Sequence, residues 1–380
     1  MPGSWGALAA IRGKAVMTKI RQAIGAFWRL MARHPRLSAG GGAVAVGAAV
    51  SLIAMLASSA APAKPPPLIL VLPPSMPRPL PVVHHATGLY SPFTGEPVKE
   101  LRPVLAVKID NIVQARPQAG LQSADLMYVI PVEGGLTRFM AVFSSHVPRV
   151  IGPVRSARQS DLDILRQFGR PAFAWSGATP HLVPFIERAP LVDLYALLVG
   201  GYYRVGFRVA PQNLYANPRT LLREAPHASK ARDIGFRFGP QPAGGRVVRS
   251  WTVTYPAATI TFRWSGKAKR WLLWMDGAPG RAAEGGQLGG PTVIIQYTRI
   301  ATSRFEEYGG RPPYAISVGS GTAVILRDGR AYKVHWSRPT LNSGTTFTLA
   351  HGKRMLFARG QVWIVYAPDN HASYQNAGAV

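Results

Sequence analysis

Apolar runs alternate with short polar knots along residues 103–158, PVLAVKIDNIVQARPQAGLQSADLMYVIPVEGGLTRFMAVFSSHVPRVIGPVRSAR. The runs PVLAVKI, DLMYVIPV and RFMAVF have the length and composition of strands, as does PAFAWS at 171–176. Between and after them lie Asp110-Asn111, Arg116-Pro117-Gln118, Glu133-Gly134-Gly135, Arg138 and Arg155-Ser156-Ala157-Arg158. A charge at the end of a buried strand is costly unless it is paired or used, so these knots are the first pointer to a site. Residues 156–168 read as a helix: Leu162, Leu165 and Phe168 share one face, and Gly169-Arg170-Pro171 stops it. A second helix is expected at Asn217, an N-cap residue with Pro218 at the first helical position. Residues 88–240 are therefore expected to form an α/β or α+β domain with a mixed sheet.

From 247 to 368 the pattern changes to nearly continuous strand. TVTYP, TITFRW, RWLLWMD, TVIIQY, TAVILRD, AYKVHW, RMLFA and VWIVYA are short, β-branched and aromatic. Asp328-Gly329 predicts a tight hairpin, and His351-Gly352 and Arg359-Gly360 mark further turns. Trp271 and Trp274 are three apart, so on a regular strand they face opposite sides. This predicts a compact β-rich domain, a twisted sheet or a partly closed barrel, with the boundary at 239–246 and a tail at 369–380. No internal repeat is visible.

The front of the chain has a third pattern. Residues 1–36 are basic, 37–63 carry no charge, and 61–87 are rich in proline. The charge asymmetry leaves the N-terminus in the cytoplasm and exports the chain beyond the apolar segment. Residues 37–60 are long enough for an uncleaved signal-anchor. The other reading is a signal peptide cut near Ser58-Ser59-Ala60, which suits a start at Met17 or Met31. The long basic segment in front favours the anchor. Val16, Ile20, Ile24, Phe27 and Met31 fall at helical spacing, as for a helix on the inner membrane surface. Residues 61–87 read as an extended spacer. Either reading places the folded parts outside the cytoplasm, at a cell membrane.

Charge adds a class of partner. The net charge is +27, and residues 1–36 hold seven Lys and Arg and no acid, so 20 of these charges sit on the rest of the chain. Such a body suits an anionic partner, an envelope polymer or a lipid surface. No nucleic-acid motif and no run of five basic residues is present, so nucleic acid is not an expected partner. There is no cysteine, which removes disulfides, thiolate catalysis and a lipid-modified N-terminal cysteine. The nine histidines show no metal-binding spacing, and no cofactor fingerprint is found, so neither a metal nor a cofactor is expected.

Several segments together resemble the YerB-like (DUF3048) family, described as bacterial envelope lipoproteins. They are TGEPV at 94–98, VKIDN at 107–111, ARPQAGLQSAD at 115–125, VEGGLTRFMAVF at 132–143, IGPVRSAR at 151–158 and APQNLY at 210–215. GSGTAVILRDGRAYKVHWSRP at 319–339 and TTFTLAHGKRMLFARGQVWIVYAP at 345–368 continue the resemblance. It implies a two-domain exported protein and no particular reaction. The missing lipid-attachment cysteine is a departure from the family.

Three functions fit these residues. The first is an envelope protein that binds an anionic ligand, such as a wall polymer, through Arg116, Arg138, Arg155 and Arg158. Ser156 would cap a helix start beside them, and Asn111, Asn213 and Tyr215 would line the groove. The second is a glycan hydrolase or transferase with Glu133 and Asp110 as acid and base. The third is a scaffold that docks another envelope protein without a small ligand. Internal pairing of the charges is the structural alternative to the first two.

Overall fold

A computed structural model describes residues 88–307, 310–368 and 372–376. The basic segment, the apolar segment, the proline-rich spacer and most of the tail lie outside the described residues. The chain enters the fold through β1 (Leu105–Asp110), β2 (Leu126–Pro131), β3 (Thr137–Phe143), α1 (Gln159–Leu165), β4 (Ala172–Trp175), α2 (Val183–Arg188) and β5 (Val192–Tyr195). A small hairpin comes next, β6 (Tyr202–Arg204) and β7 (Leu214–Ala216), then α3 (Pro218–Arg223). The second half is strand throughout: β8 (Arg246–Tyr255), β9 (Ala258–Ser265), β10 (Arg270–Met275), β11 (Ala278–Pro279), β12 (Gly289–Gly290), β13 (Thr292–Tyr297), β14 (Ile300–Thr302) and β15 (Pro313–Ala315). It ends with β16 (Gly319–Arg327), β17 (Arg330–Arg338), β18 (Thr346–Thr348), β19 (Val362–Ala367) and β20 (Ala372–Asn376).

Most of these strands form one large mixed sheet in the order β11-β10-β9-β8-β17-β16-β13-β19-β2-β3-β1-β4-β5. The expected boundary at 239–246 does not divide it. β19, near the end of the chain, lies between β13 and β2 and is parallel to both. On the other side β1 pairs parallel with β4, and β4 with β5. The carboxyl ends of β1, β2, β4, β5, β13 and β19 therefore share one edge. Residues 88–376 lie within one compact unit.

Both faces of the central strands are covered, which is why LAVKID, LMYVIP and VWIVYA are buried at every position. On one face β8, β9 and β10 pack across the sheet, with Phe139, Phe262 and Trp363 in edge-on contact. On the other, Ile164, Leu165 and Phe168 pack with Phe93, Phe173 and Phe357. β10 buries alternate residues: Trp271 is in the core, while Trp274 faces out beneath Arg263 at 4.5 Å.

Local signals behave unevenly. Asn217 caps α3 by accepting from the N–H groups of Arg219 and Thr220, with Pro218 first in the helix. Asp328 and Gly329 both take positive φ in the β16–β17 turn, as that hairpin requires. The helix expected from 156 is α-helical only over Gln159–Leu165, then 3-10 to Phe168. Its N-cap is Arg158 and not Ser156, because Asp161 reaches back to the Arg158 backbone N–H at 2.7 Å. RMLFA at 354–358 is not a strand: Met355 and Phe357 are buried, but their backbone bonds only at isolated bridges. Among the described residues, no helix is long and apolar enough to cross a membrane.

Candidate functional site

The polar knots converge at the shared carboxyl edge of the sheet. β1 delivers Asp110 there, in register with Arg138 at the start of β3. The β2–β3 connection supplies Glu133. Gly134 and Gly135 make that turn at positive φ, and a Cβ on Gly135 would meet Pro256 at 2.6 Å. The segment 151–158 crosses the same edge: Arg155 N–H donates to the Lys108 carbonyl, and Ser176 N–H to the Arg155 carbonyl. Asp110, Asn111, Arg116, Glu133, Arg138, Arg155, Ser156 and Arg158 are thus brought to one region.

Most of the charges there are neutralised internally. Arg158, only 4% exposed, donates from Nε to Glu133 Oε2 at 2.8 Å and from its terminal nitrogen to Glu133 Oε1. The same nitrogen reaches Glu307 Oε2 at 2.9 Å. Arg138 donates to Glu133 Oε1 at 2.9 Å and to the Ser156 carbonyl at 3.1 Å. Burial pushes the Glu133 carboxyl up, but the Arg158 hydrogen bond and the Arg138 and Arg158 charges outweigh it and hold it at about 2. Burial, aided by the Arg158 charge, lowers Arg138 to about 10. Glu307 moves the other way from Glu133. Burial raises it despite Arg158, and its Oε1 has no hydrogen-bond partner among the described residues.

Beneath this layer, Lys108 and Asp161 form a fully buried pair at 2.6 Å. Burial lowers Lys108 to about 8, against the pull of the Asp161 charge. Asp161 thereby ties β1 to the first turn of α1. Neither residue figured among the expected site residues. A lone Lys within LAVKID, and an Asp three residues after Arg158, were the available signals. Glu307 had none, since it is 149 residues from its partner Arg158.

Asp110 and Arg155 differ from the rest. Asp110 is buried and accepts from Asn111 N–H at 2.9 Å and from Gln212 Nε2 at 3.2 Å. Arg155 Nε lies 3.0 Å from Asp110 Oδ2, but its N–H is not aimed at the carboxylate and makes no hydrogen bond. Its other guanidinium nitrogens donate none either among the described residues. With its side chain 25% exposed, Arg155 keeps its terminal nitrogens at the rim, while its Nε is buried against Asp110. Arg116 is held by the Asn111 carbonyl, at 2.7 Å, and by Asp276, at 2.8 Å. Asn111 is locked by Thr137 and Gln118, and Gln118 Oε1 is left buried without a partner.

Asn213 and Tyr215 do not line the arginine cluster. Asn213 accepts from Arg204 across the β6–β7 hairpin, and Tyr215 is buried against Gly152. Their neighbour Gln212 makes the contact with Asp110 instead. Ser156 contributes its carbonyl to Arg138, and its hydroxyl makes no hydrogen bond among the described residues. Glu133 also lines a cleft of about 710 Å3 walled by Pro131, Tyr255, Pro256, Pro312 and Pro368, which Asp110 does not reach. The described residues hold no cluster of His, Cys, Asp and Glu able to bind a metal.

Comparison with known proteins gives a consistent set of matches. The sequence profile described as "Protein of unknown function (DUF3048) N-terminal domain" matches residues 92–232, and its "C-terminal domain" counterpart matches 251–364. The chain is similar to "Putative lipoprotein YerB" of Bacillus subtilis (strain 168), at 27% identity over 311 residues, 77% of this chain and 90% of that protein. The fold resembles the crystal structure of the YerB protein from Bacillus subtilis with a TM-score of 0.66 at 24% identity, over 76% of this chain and 99% of that one.

Proposed function

The chain belongs to the DUF3048 family, and on that footing we propose that it is an exported envelope protein that binds an anionic group, such as one on a wall polymer, at Arg155. Export is supported by the basic flank before the uncharged segment and by the name of the Bacillus subtilis relative. With no cysteine to carry a lipid, residues 37–60 are the tether.

The observation that carries the binding reading is the state of Arg155. Its terminal nitrogens make no hydrogen bond among the described residues, at the carboxyl edge of parallel strands where open sheets take their ligands. A phosphate or carboxylate there would satisfy a fork of guanidinium N–H groups that Asp110 meets only by charge. Arg138 and Arg158 serve to hold Glu133, and Arg116 holds the Asn111 loop. The decisive test is retention of full-length protein on isolated wall material and on bead-immobilised polyphosphate. Wild type should be retained and Arg155→Ala released. Equal retention of both would remove the proposal.

A second reading is favoured by one observation: Glu133 and Glu307 share Arg158 while their protonation tendencies diverge, as in an acid–base pair. Glu307, held on Arg158 at 2.9 Å, would replace Asp110 as partner to Glu133 in cleaving a glycan. Release of reducing ends from wall glycan, lost in Glu307→Gln, would be the signature. No release by wild type would rule it out.

A further inference from the structure

The β6–β7 hairpin and its surroundings depart from the charge balance found everywhere in the polar cluster. Residues 194–223 contain four arginines, Arg204, Arg208, Arg219 and Arg223, and no acid. None of the four has an acidic partner among the described residues. Arg204 bonds to the Asn213 amide, Arg208 to the Gln114 and Pro117 carbonyls at 2.6 and 2.8 Å, and Arg223 to the Thr220 hydroxyl.

Large apolar side chains stand out of the same surface. Leu197 is 78% exposed, Phe207 75% and Val209 84%, with Leu198 and Tyr203 also exposed. The two Arg208 hydrogen bonds lay the hairpin loop along the turn that carries Val113, itself exposed. The loop tips Phe207 and Val209 are thereby fixed beside the exposed Val113. Water is a poor solvent for the tips, and nothing among the described residues covers them.

We propose that this face docks onto an anionic lipid bilayer, with Leu197, Phe207 and Val209 entering the acyl boundary and Arg204, Arg219 and Arg223 meeting headgroup phosphates. Charge complementarity selects this occupant. Unneutralised arginines around protruding aliphatic side chains match the layered order of a bilayer, phosphate outside and hydrocarbon beneath. A hydrated wall polymer would satisfy the arginines but leave Val209 and Leu197 in water. Nucleic acid would need stacking faces, and the two most exposed tips are aliphatic. The docking uses none of the donors of Arg155, so the two proposals can fail separately.

The native chain has no cysteine, so a single introduced thiol can be labelled uniquely. Full-length Val209→Cys, carrying an environment-sensitive fluorophore, would be placed in phosphatidylcholine vesicles with and without phosphatidylglycerol. Lys267→Cys, in the exposed β9–β10 turn, is the reference position. With phosphatidylglycerol present, the label at 209 should shift to the blue and be quenched by spin-labelled lipid, while the label at 267 should not. Adding Arg219→Glu and Arg223→Glu should reduce the docked fraction about tenfold or more. A label at 209 that behaves like the one at 267 would overturn the proposal. So would an equal response in neutral vesicles, or a response that tracks protein density instead of lipid charge, which would mark contact with another copy.

Discussion

The carboxyl edge of the sheet and the β6–β7 hairpin invert the usual arrangement of a folded chain in opposite ways. At the edge, charges are inside: Arg158, Arg138, Lys108 and Asp161 are all buried. At the hairpin, apolar groups are outside, and Phe207 and Val209 are among the most exposed large hydrophobics described. The difference lies in what balances them. Each buried charge at the edge has an opposite charge within hydrogen-bond reach, whereas among the described residues the hairpin's arginines have no acidic partner and its apolar tips no cover. The first region is complete by itself, and its charges hold elements together. The second leaves apolar tips uncovered among the described residues, while Arg155, at the rim, faces Asp110 at 3.0 Å without a hydrogen bond.

The contrast is tested hardest at the buried pair. Asp161→Ala would strand the Lys108 ammonium between β1 and α1 and should cost about 3–5 kcal/mol. The shift in denaturant midpoint at constant slope measures it. The double variant Lys108→Met/Asp161→Leu should regain most of the loss. A loss below about 1 kcal/mol for Asp161→Ala would mean the pair is not the brace described.

The next effect is on pH dependence. Glu133 sits at about 2 in the folded chain against an ordinary 4.5. A depressed carboxylate contributes stability that is present above pH 4.5 and lost as pH falls toward 2. Glu133→Gln should therefore flatten the acid limb of the stability profile in that window. An unchanged acid limb would show that its arginine partners do not hold it in solution.

Smaller again is Arg155→Ala, since Asp110 keeps its bonds from Asn111 and Gln212. The loss in stability should stay near or below about 1 kcal/mol, while binding to polyphosphate falls. A cost above about 3 kcal/mol would put Arg155 with the structural braces and withdraw it from the ligand site. Smallest is Phe207→Ser together with Val209→Ser, which should leave stability within about 0.5 kcal/mol. A larger loss in a melt of the double variant would mean that the hairpin tips pack on the body after all.

The sequence made the strands legible because both covered faces of the sheet demand unbroken apolar runs, such as LAVKID and VWIVYA. Capping at Asn217 and the turn at Asp328-Gly329 were legible because their chemistry is local. What stayed hidden was long-range. The parallel pairing of β19 with β2 joins residues more than two hundred positions apart, and no local pattern encodes it. The polar knots lie at one edge of the sheet, and the sequence offered internal pairing of their acids and arginines as one alternative without choosing the partners. Arg158 finds Glu307, and Asp110 finds Arg155 and Gln212, through the fold alone. RMLFA had strand composition, yet its buried Met355 and Phe357 are held by packing and not by a ladder.

The position of β19 also governs the order of events during the chain's production. Until residue 367 has been made and has reached the folding compartment, β2 and β13 have no neighbour between them, and both present long apolar edges. A nascent chain that stops short of this strand holds its first half as an open-edged sheet fragment, a form prone to stray association. Completion of the sheet thus waits on a strand more than two hundred residues beyond its neighbour β2. The sheet cannot close from its N-terminal half alone.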